Sequence, residues 1–419
     1  MALYLEQAHA QAQALLIVDY ANCQNQLLWH NIANLSAVEC HMSNRAKALG
    51  TELFGLAGIQ MNGPNPWDIQ IHDERTYQRV LKDHTLGLGE SYMDGWWSSE
   101  QLDETIYRLL VAGLEQKVKR HPRLVLQLLI SRFFNMQTGK RAQQVADVHY
   151  NLDNYLYSLM LGSTMSYTCG YWRKAKKLDT AQDHKHDLVC RKLGLKPGDK
   201  VLELGCGWGG FAEYAAKHYG AQLTSINISK EQVAYARERC KDLPVTFHLC
   251  DYRDVQAYNP NHAQYDKVVS IGMCEHVGHK NYRHFMRVAH DNLKEQGLFL
   301  LHTIGGNRVT NGIEPWHGKY IFPNGMLPAS QQLAVAVQGL FIMEDWHNFG
   351  ADYDKTLMAW HQNFDANWDK LKSQYDQHFY RMWSYYLMSC AGMFRARDAQ
   401  LWQIVLSKGG VPGGYLSVR

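Results

Sequence analysis

The run Val201-Leu202-Glu203-Leu204-Gly205-Cys206-Gly207-Trp208-Gly209-Gly210 sets one acidic side chain beside four glycines. Glycine lets the backbone turn sharply and lets a ligand approach where a Cβ would stand in the way. A turn that opens a helix also offers N–H groups to an anionic group. The spacing Glu-x-Gly-x-Gly-x-Gly differs from the G-x-G-x-x-G dinucleotide pattern. The chemistry on offer is capture of a small polar ligand at a strand–turn–helix corner. Elsewhere Glu275, His302 and Tyr353 could move or hold a proton, and Cys169 and Cys390 are thiols. Taken singly, each has an ordinary role: Glu275 as a cap, His302 as a satisfied residue after a strand, Cys169 as a small buried filler. Cys390, in Ser389-Cys390-Ala391-Gly392, has no basic partner beside it and reads as a packed helix thiol.

These groups need elements to position them. From about residue 148 the pattern alternates between strands and helices. Lys200 to Leu204, Gln222 to Asn227, Val245 to Cys250, Tyr265 to Ile271 and Gly297 to Thr303 read as strands. Phe211 to Tyr219, Ser229 to Cys240 (opened by a Ser N-cap) and His279 to Leu293 read as helices. This predicts an α/β fold with a mostly parallel, doubly wound sheet. Ligands of such sheets lie at the carboxyl ends of the strands. The glycine loop, Asn227, Asp251, Glu275 and His302 all fall at or just past strand ends. After His317 the pattern is largely helical, with aromatics from Tyr353 to Tyr386 that suit a lid.

The amino-terminal part is different. Residues 1–44 form a Gln-, Ala- and Asn-rich extension. Residues 45–130 read as a small α/β domain, with a helix from Arg45 to Leu56, a short strand from Asp68 to His72 and a helix from Leu102 to Gln116. Residues 131–147 are a basic linker, and 148–419 a catalytic domain. Lys117, Lys119, Arg120, Arg123, Arg132, Lys140 and Arg141 occur with no acidic residue among them. Such a stretch either lies on an anionic bilayer or is a solvated helix face.

Composition narrows the classes. The 419 residues are 46 % hydrophobic and 20 % charged, ordinary for a globular protein, and a net charge of +3 is too small to argue for nucleic acid. Nine scattered cysteines without C-x-x-C or Cys/His metal spacing predict reduced thiols in the cytosol and no metal. No apolar run is long enough to span a bilayer, so any membrane contact is expected to be peripheral.

The glycine-loop spacing is similar to that of S-adenosylmethionine (SAM) methyltransferases. An ordered set of further stretches makes the likeness specific: Gly87–Trp97, Tyr167–Trp172, Asp251–Asp254, Gly272–Gly278, Leu300–Ile304, Tyr320–Gly325, Met343–Trp360 and Phe394–Trp402. With them the chain resembles the bacterial cyclopropane-fatty-acyl-phospholipid synthases and, more distantly, the mycolic acid cyclopropane synthases, over roughly residues 45–408. Thr168, Asn151 and Cys274 stand where the family usually has Ser, Asp and Phe.

The resemblance implies a Rossmann-like SAM-methyltransferase domain with a helical lid and a small lipid-binding amino-terminal domain. It implies methylene transfer from SAM to the cis double bond of an unsaturated phospholipid acyl chain. The carbocation so formed would be deprotonated by bound bicarbonate, held by Cys169, Glu275, His302, Tyr353 and the backbone of Ile304. Without that ion, Glu275 and His302 could form a general-base pair. For SAM it implies Tyr167 and Thr168 near the methionine part, and Val201, Leu202, Glu203, Leu204, Gly205, Cys206, Gly207, Trp208 and Gly209 along its carboxylate, amino group and ribose side. Asn227, Ser229 and Gln232 would reach the ribose, and Asp251 and Tyr252 the adenine. It further implies a homodimer, cytoplasmic and peripheral on the inner face of the inner membrane. Two other readings stay open: a different acceptor such as a sterol or quinone, and a lipid-binding protein with an inactive SAM fold.

Overall fold

A computed structural model describes residues 44–114, 154–259, 265–310, 312–323 and 325–419. The extension, the basic stretch and the boundary between the two expected domains lie outside the described residues.

The chain begins with helix α1 (44–55), strand β1 (Gln70–Ile71), helix α2 (Arg75–Met93), strand β2 (Trp97–Ser98) and helix α3 (Leu102–Val111). β1 and β2 pair antiparallel, with Ile71 opposite Trp97. The Trp97 indole is sealed and donates to Leu88 O at 3.0 Å and Ser91 Oγ at 3.1 Å, so the ring is buried with its one polar atom satisfied. The glycine-punctuated stretch from Gly87 is the second half of α2. There Gly89 lets the Trp316 indole approach so closely that an added Cβ would lie 2.4 Å from it.

The chain continues through α4 (Asn154–Leu161), α5 (Leu178–Leu193), β3 (Lys200–Leu204), α6 (Gly210–Tyr219), β4 (Gln222–Asn227), α7 (Lys230–Arg239), β5 (Val245–Leu249), β6 (Tyr265–Ile271), α8 (Tyr282–Asn292) and β7 (Leu293–Gly306). From β3 to β7 these elements match the expected strands and helices to within a few residues, whereas α4 and α5 correspond to no expected element. Ser229 caps α7 as expected, its Oγ accepting from Gln232 N at 3.3 Å. The remainder is α9 (Pro315–Tyr320), α10 (Ser330–Val337), β8 (Ile342–Asn348), α11 (Ala351–Ala366), α12 (Trp368–Leu371), α13 (Gln377–Arg395) and β9 (Ala399–Ser407).

The seven-stranded sheet runs β5-β4-β3-β6-β7-β9-β8. β5 to β7 are parallel, and β9 is antiparallel to both neighbours. The region after His317 is mainly helical as expected, but it also supplies two strands that the pattern did not show. β9 escaped the pattern because all nine of its residues are buried, which removes the alternation that marks a half-exposed strand. β4 and β6 flank β3 on opposite sides, so connections leave β3 in both directions and a crevice opens at its carboxyl end. The amino-terminal helices share one apolar core with the tail: Phe54, Leu88, Tyr92 and Ile106 pack in the same cluster as Trp360, Phe379, Trp383 and Phe394.

Candidate active site

Two cavities meet at that crevice. The first, of about 530 Å³, sits on the glycine loop. β3 ends at Leu204, and Gly205 turns the chain with φ +87°. The Gly205 and Cys206 N–H groups both donate to Ile226 O at 3.1 Å, and Gly209 N–H donates to Cys206 O at 2.9 Å. These three groups tie the loop to β4 and to itself rather than standing free for an anion.

Of the sixteen residues expected around SAM, eleven line this cavity: Tyr167, Thr168, Glu203, Gly205, Cys206, Gly207, Trp208, Asn227, Gln232, Asp251 and Tyr252. The other five do not. Val201, Leu202 and Leu204 are strand residues sealed in the core. Gly209 caps α6 against Ala236 and Phe247, and Ser229 caps α7. Asn227 Nδ2 donates to Gln232 Oε1 at 2.8 Å, which fixes the two amides as a pair. Asp251 is engaged by Arg253 at 2.7 Å. Tyr252 meets Phe285 edge-on at 5.4 Å.

Residues the sequence reading passed over complete the wall: Met165, Ser166, Lys185, His186 and Met273. Gln182, Lys185 and His186 lie on the buried face of α5 beside Ala181, Val189 and Cys190. Polar residues at core positions of an amphipathic helix were the signal available. Burial pushes Glu203 up to about 7, against the opposing pull of Ser225 and Lys185, and pushes Lys185 down to about 7.

The second cavity, of about 580 Å³, lies across a shared wall of Tyr167, Thr168, Gly272 and His276. Glu275, Ile304 and Tyr353 line it, with Tyr386, Cys390 and Phe394. The Tyr353 ring stacks on Phe394 at 4.4 Å. Ile304 N–H donates to Glu275 Oε1 at 2.6 Å, so it orients the carboxyl group rather than facing a ligand. Burial pushes Glu275 up to about 7. His302 and Cys169 are sealed and line neither cavity. Burial holds His302 well below the usual histidine range, so its ring is neutral. Gln403 Nε2 donates to His302 Nδ1 at 3.3 Å, which leaves the proton on Nε2. The Cys169 thiol donates to Gly170 O at 3.2 Å, and burial pushes it up. Three buried polar atoms are left without a partner here, Glu275 Oε2, His302 Nε2 and Gln403 Oε1. Unpaired buried polar groups call for an explanation, and one is a small ligand that binds between an acceptor and a donor.

Cys390 departs from expectation, because it has a basic partner. Its Sγ lies 3.4 Å from His317 Nε2, and His317 Nδ1 lies 2.6 Å from Glu314 Oε2. Burial opposes the charge, yet Cys390 and Glu314 together push His317 up to about 10. The aromatic set divides. Tyr353, Tyr386 and Phe394 face the cavity, whereas Trp360, Phe364, Phe379 and Trp383 are sealed core.

Residues 137–404 match a family described as mycolic acid cyclopropane synthetase. A cyclopropane-fatty-acyl-phospholipid synthase of Escherichia coli (strain K12) is 49 % identical over 361 residues, covering 86 % of this chain and 93 % of that protein. Among solved structures, the cyclopropane synthase MmaA2 from Mycobacterium tuberculosis aligns with a TM-score of 0.57 at 26 % identity, over 63 % of this chain and 98 % of its own. The mycolic acid cyclopropane synthase CmaA1, solved with SAH and CTAB, aligns with a TM-score of 0.56 at 28 % identity, again over 63 % and 98 %.

Proposed function

The chain belongs to the mycolic acid cyclopropane synthetase family, and from that premise we propose that it transfers a methylene group from SAM to the cis double bond of unsaturated phospholipid acyl chains. The observation that carries this reading is the shared wall. A cavity on the glycine loop and a ring-lined cavity holding a buried carboxyl group share Tyr167, Thr168, Gly272 and His276 in their walls.

SAM, when bound, supplies an electrophilic methyl group on a sulfonium. The residues of the first cavity bind and orient: Glu203 offers a carboxylate, and the Asn227–Gln232 pair offers groups that suit ribose hydroxyls. An alkene is a weak nucleophile, so placing it across the shared wall does much of the work. The Tyr353, Tyr386 and Phe394 rings face the space in which the acyl chain becomes cationic, and ring faces stabilise a cation without trapping it. Glu275 Oε2 and the Tyr353 hydroxyl, both from residues that line the second cavity, suit bicarbonate as acceptor and donor, and the resemblance adds the sealed His302 behind them. Bicarbonate, when bound there, supplies a base for the proton that leaves the new methyl group. A second reading makes Glu275 itself the base, because its carboxyl group is held at about 7 with one oxygen unpartnered.

Bilayer contact belongs to the same proposal. Leu110 lines the second cavity and is exposed, as are Val111 and Val309, and no described helix is long and apolar enough to cross a membrane. A homodimer, a cytoplasmic place on the inner face of the inner membrane, and the division into residues 45–130 and 148–419 rest on the resemblance. The test is incubation with SAM and vesicles of cis-unsaturated phospholipid. Acyl chains heavier by one CH2 that have lost the double bond are expected, and unchanged acyl mass refutes the reading. Repeating the assay in carbonate-depleted buffer separates the two bases: activity lost and restored by bicarbonate favours the ion, and activity retained favours Glu275.

A further inference from the structure

Helix α5 carries two buried lysines with different surroundings. Lys192 is fully buried and has a carboxylate, with Asp345 Oδ2 at 3.5 Å and His347 Nδ1 at 3.1 Å. Lys185 is 1 % exposed, lines the glycine-loop cavity and is held by neutral groups. It donates to Thr168 Oγ1 at 3.1 Å and to His186 Nε2 at 2.9 Å. Burial holds His186 well below the usual histidine range, so the imidazole is neutral and accepts at that nitrogen. No carboxylate is among the hydrogen-bond partners of this buried ammonium, its burial is costly, and an incoming carboxylate would offset the cost.

The same cavity holds the opposite charge. Glu203 is 2 % exposed, and its hydrogen-bond partner is the Ser225 hydroxyl at 2.7 Å. One buried cation and one buried anion in a single cavity complement an α-amino acid zwitterion. The glycine loop does not offer its Gly205, Cys206 and Gly209 N–H groups to a carboxylate, since all three donate to backbone carbonyls.

We propose that Lys185 binds the α-carboxylate of the methyl donor, with Thr168 beside it, while Glu203 faces the α-ammonium. This rests on the reading of SAM as the donor. Lys185 is then a specificity determinant. It selects adenosyl sulfoniums that carry an amino-acid carboxylate over those that lack one.

The test is titration calorimetry of the full chain with SAM and with decarboxylated SAM, which lacks only the α-carboxylate. The wild type should bind SAM about 100-fold more tightly, in line with a close buried charge pair. Lys185→Gln should lower SAM affinity to about that of the decarboxylated form while moving the latter by less than about threefold. A merely structural lysine would weaken both ligands alike. Equal binding of the two sulfoniums by the wild type overturns the proposal, and so does undiminished discrimination by Lys185→Gln. Lys185→Met, unbranched and uncharged, is the second variant. Should neither variant hold its fold by circular dichroism, the wild-type comparison decides. A wild type that binds neither sulfonium refutes the donor reading itself and takes the proposal with it, an outcome distinct from equal binding.

Discussion

Replacing Glu275 by Gln should make the protein less active and, at alkaline pH, more stable. The carboxyl group ionises near 7 in the fold because it is buried, against 4.5 as a free side chain. A raised carboxyl value means that the native state holds its proton where the unfolded chain has lost it. Stability is therefore intact below 4.5 and falls as pH rises towards 7. At about 1.4 kcal/mol per tenfold change in proton affinity, the loss is about 3 kcal/mol and is complete above pH 7. Gln keeps the shape, and its Oε1 can still accept from Ile304 N–H, so it removes the penalty without opening a cavity. At pH 8 the variant should melt roughly 3–6 °C above the wild type, and at pH 5 the two should coincide to within about a degree. Turnover on unsaturated vesicles should fall about 10²- to 10⁴-fold, the worth of a positioned general base or of the group that orients one. The measurements are thermal unfolding at both pH values and methyl incorporation from labelled SAM. A melting difference that is the same at both pH values refutes the electrostatic argument, and turnover within about threefold of wild type refutes the role of Glu275.

Tyr353→Phe keeps the stack on Phe394 and removes only the hydroxyl, so it should cost about 10- to 100-fold in turnover with little change in melting temperature. Cys390→Ser should keep turnover within about threefold, because the reaction needs a base rather than a nucleophile. Cys390 should nonetheless be alkylated by iodoacetamide before the other described cysteines, whose thiols burial pushes up, and His317→Gln should slow that reaction, as peptide mapping would show. Gly305→Ala should destabilise by at least about 1–3 kcal/mol in denaturant titration, because the new Cβ would sit 2.0 Å from the buried Trp402 ring.

What could be read from the chain was local. The β3–glycine turn–α6 unit, the Ser229 cap and the strand-end positions of Asn227, Asp251 and Glu275 follow from neighbours in sequence. What could not be read depended on distance or on complete burial. Cys390 meets a base 73 residues away, so its sequence neighbours gave no sign of one. Ile304 meets Glu275 across 29 residues, and only the fold shows its N–H turned to that carboxyl group. Val201, Leu202 and Leu204 belong to the glycine motif by sequence, but a strand buried on both faces keeps their side chains in the core. Lys185 and Glu203 come to line one cavity only when α5 packs on α6 and β7.

Gly272 shows how thin the partition between donor and lipid is. It holds φ +71°, and a Cβ there would lie 2.6 Å from Thr168 Cγ2. The wall that the two cavities share thus has no room for a side chain at residue 272. Even one added carbon there would have to displace Thr168, which faces both cavities.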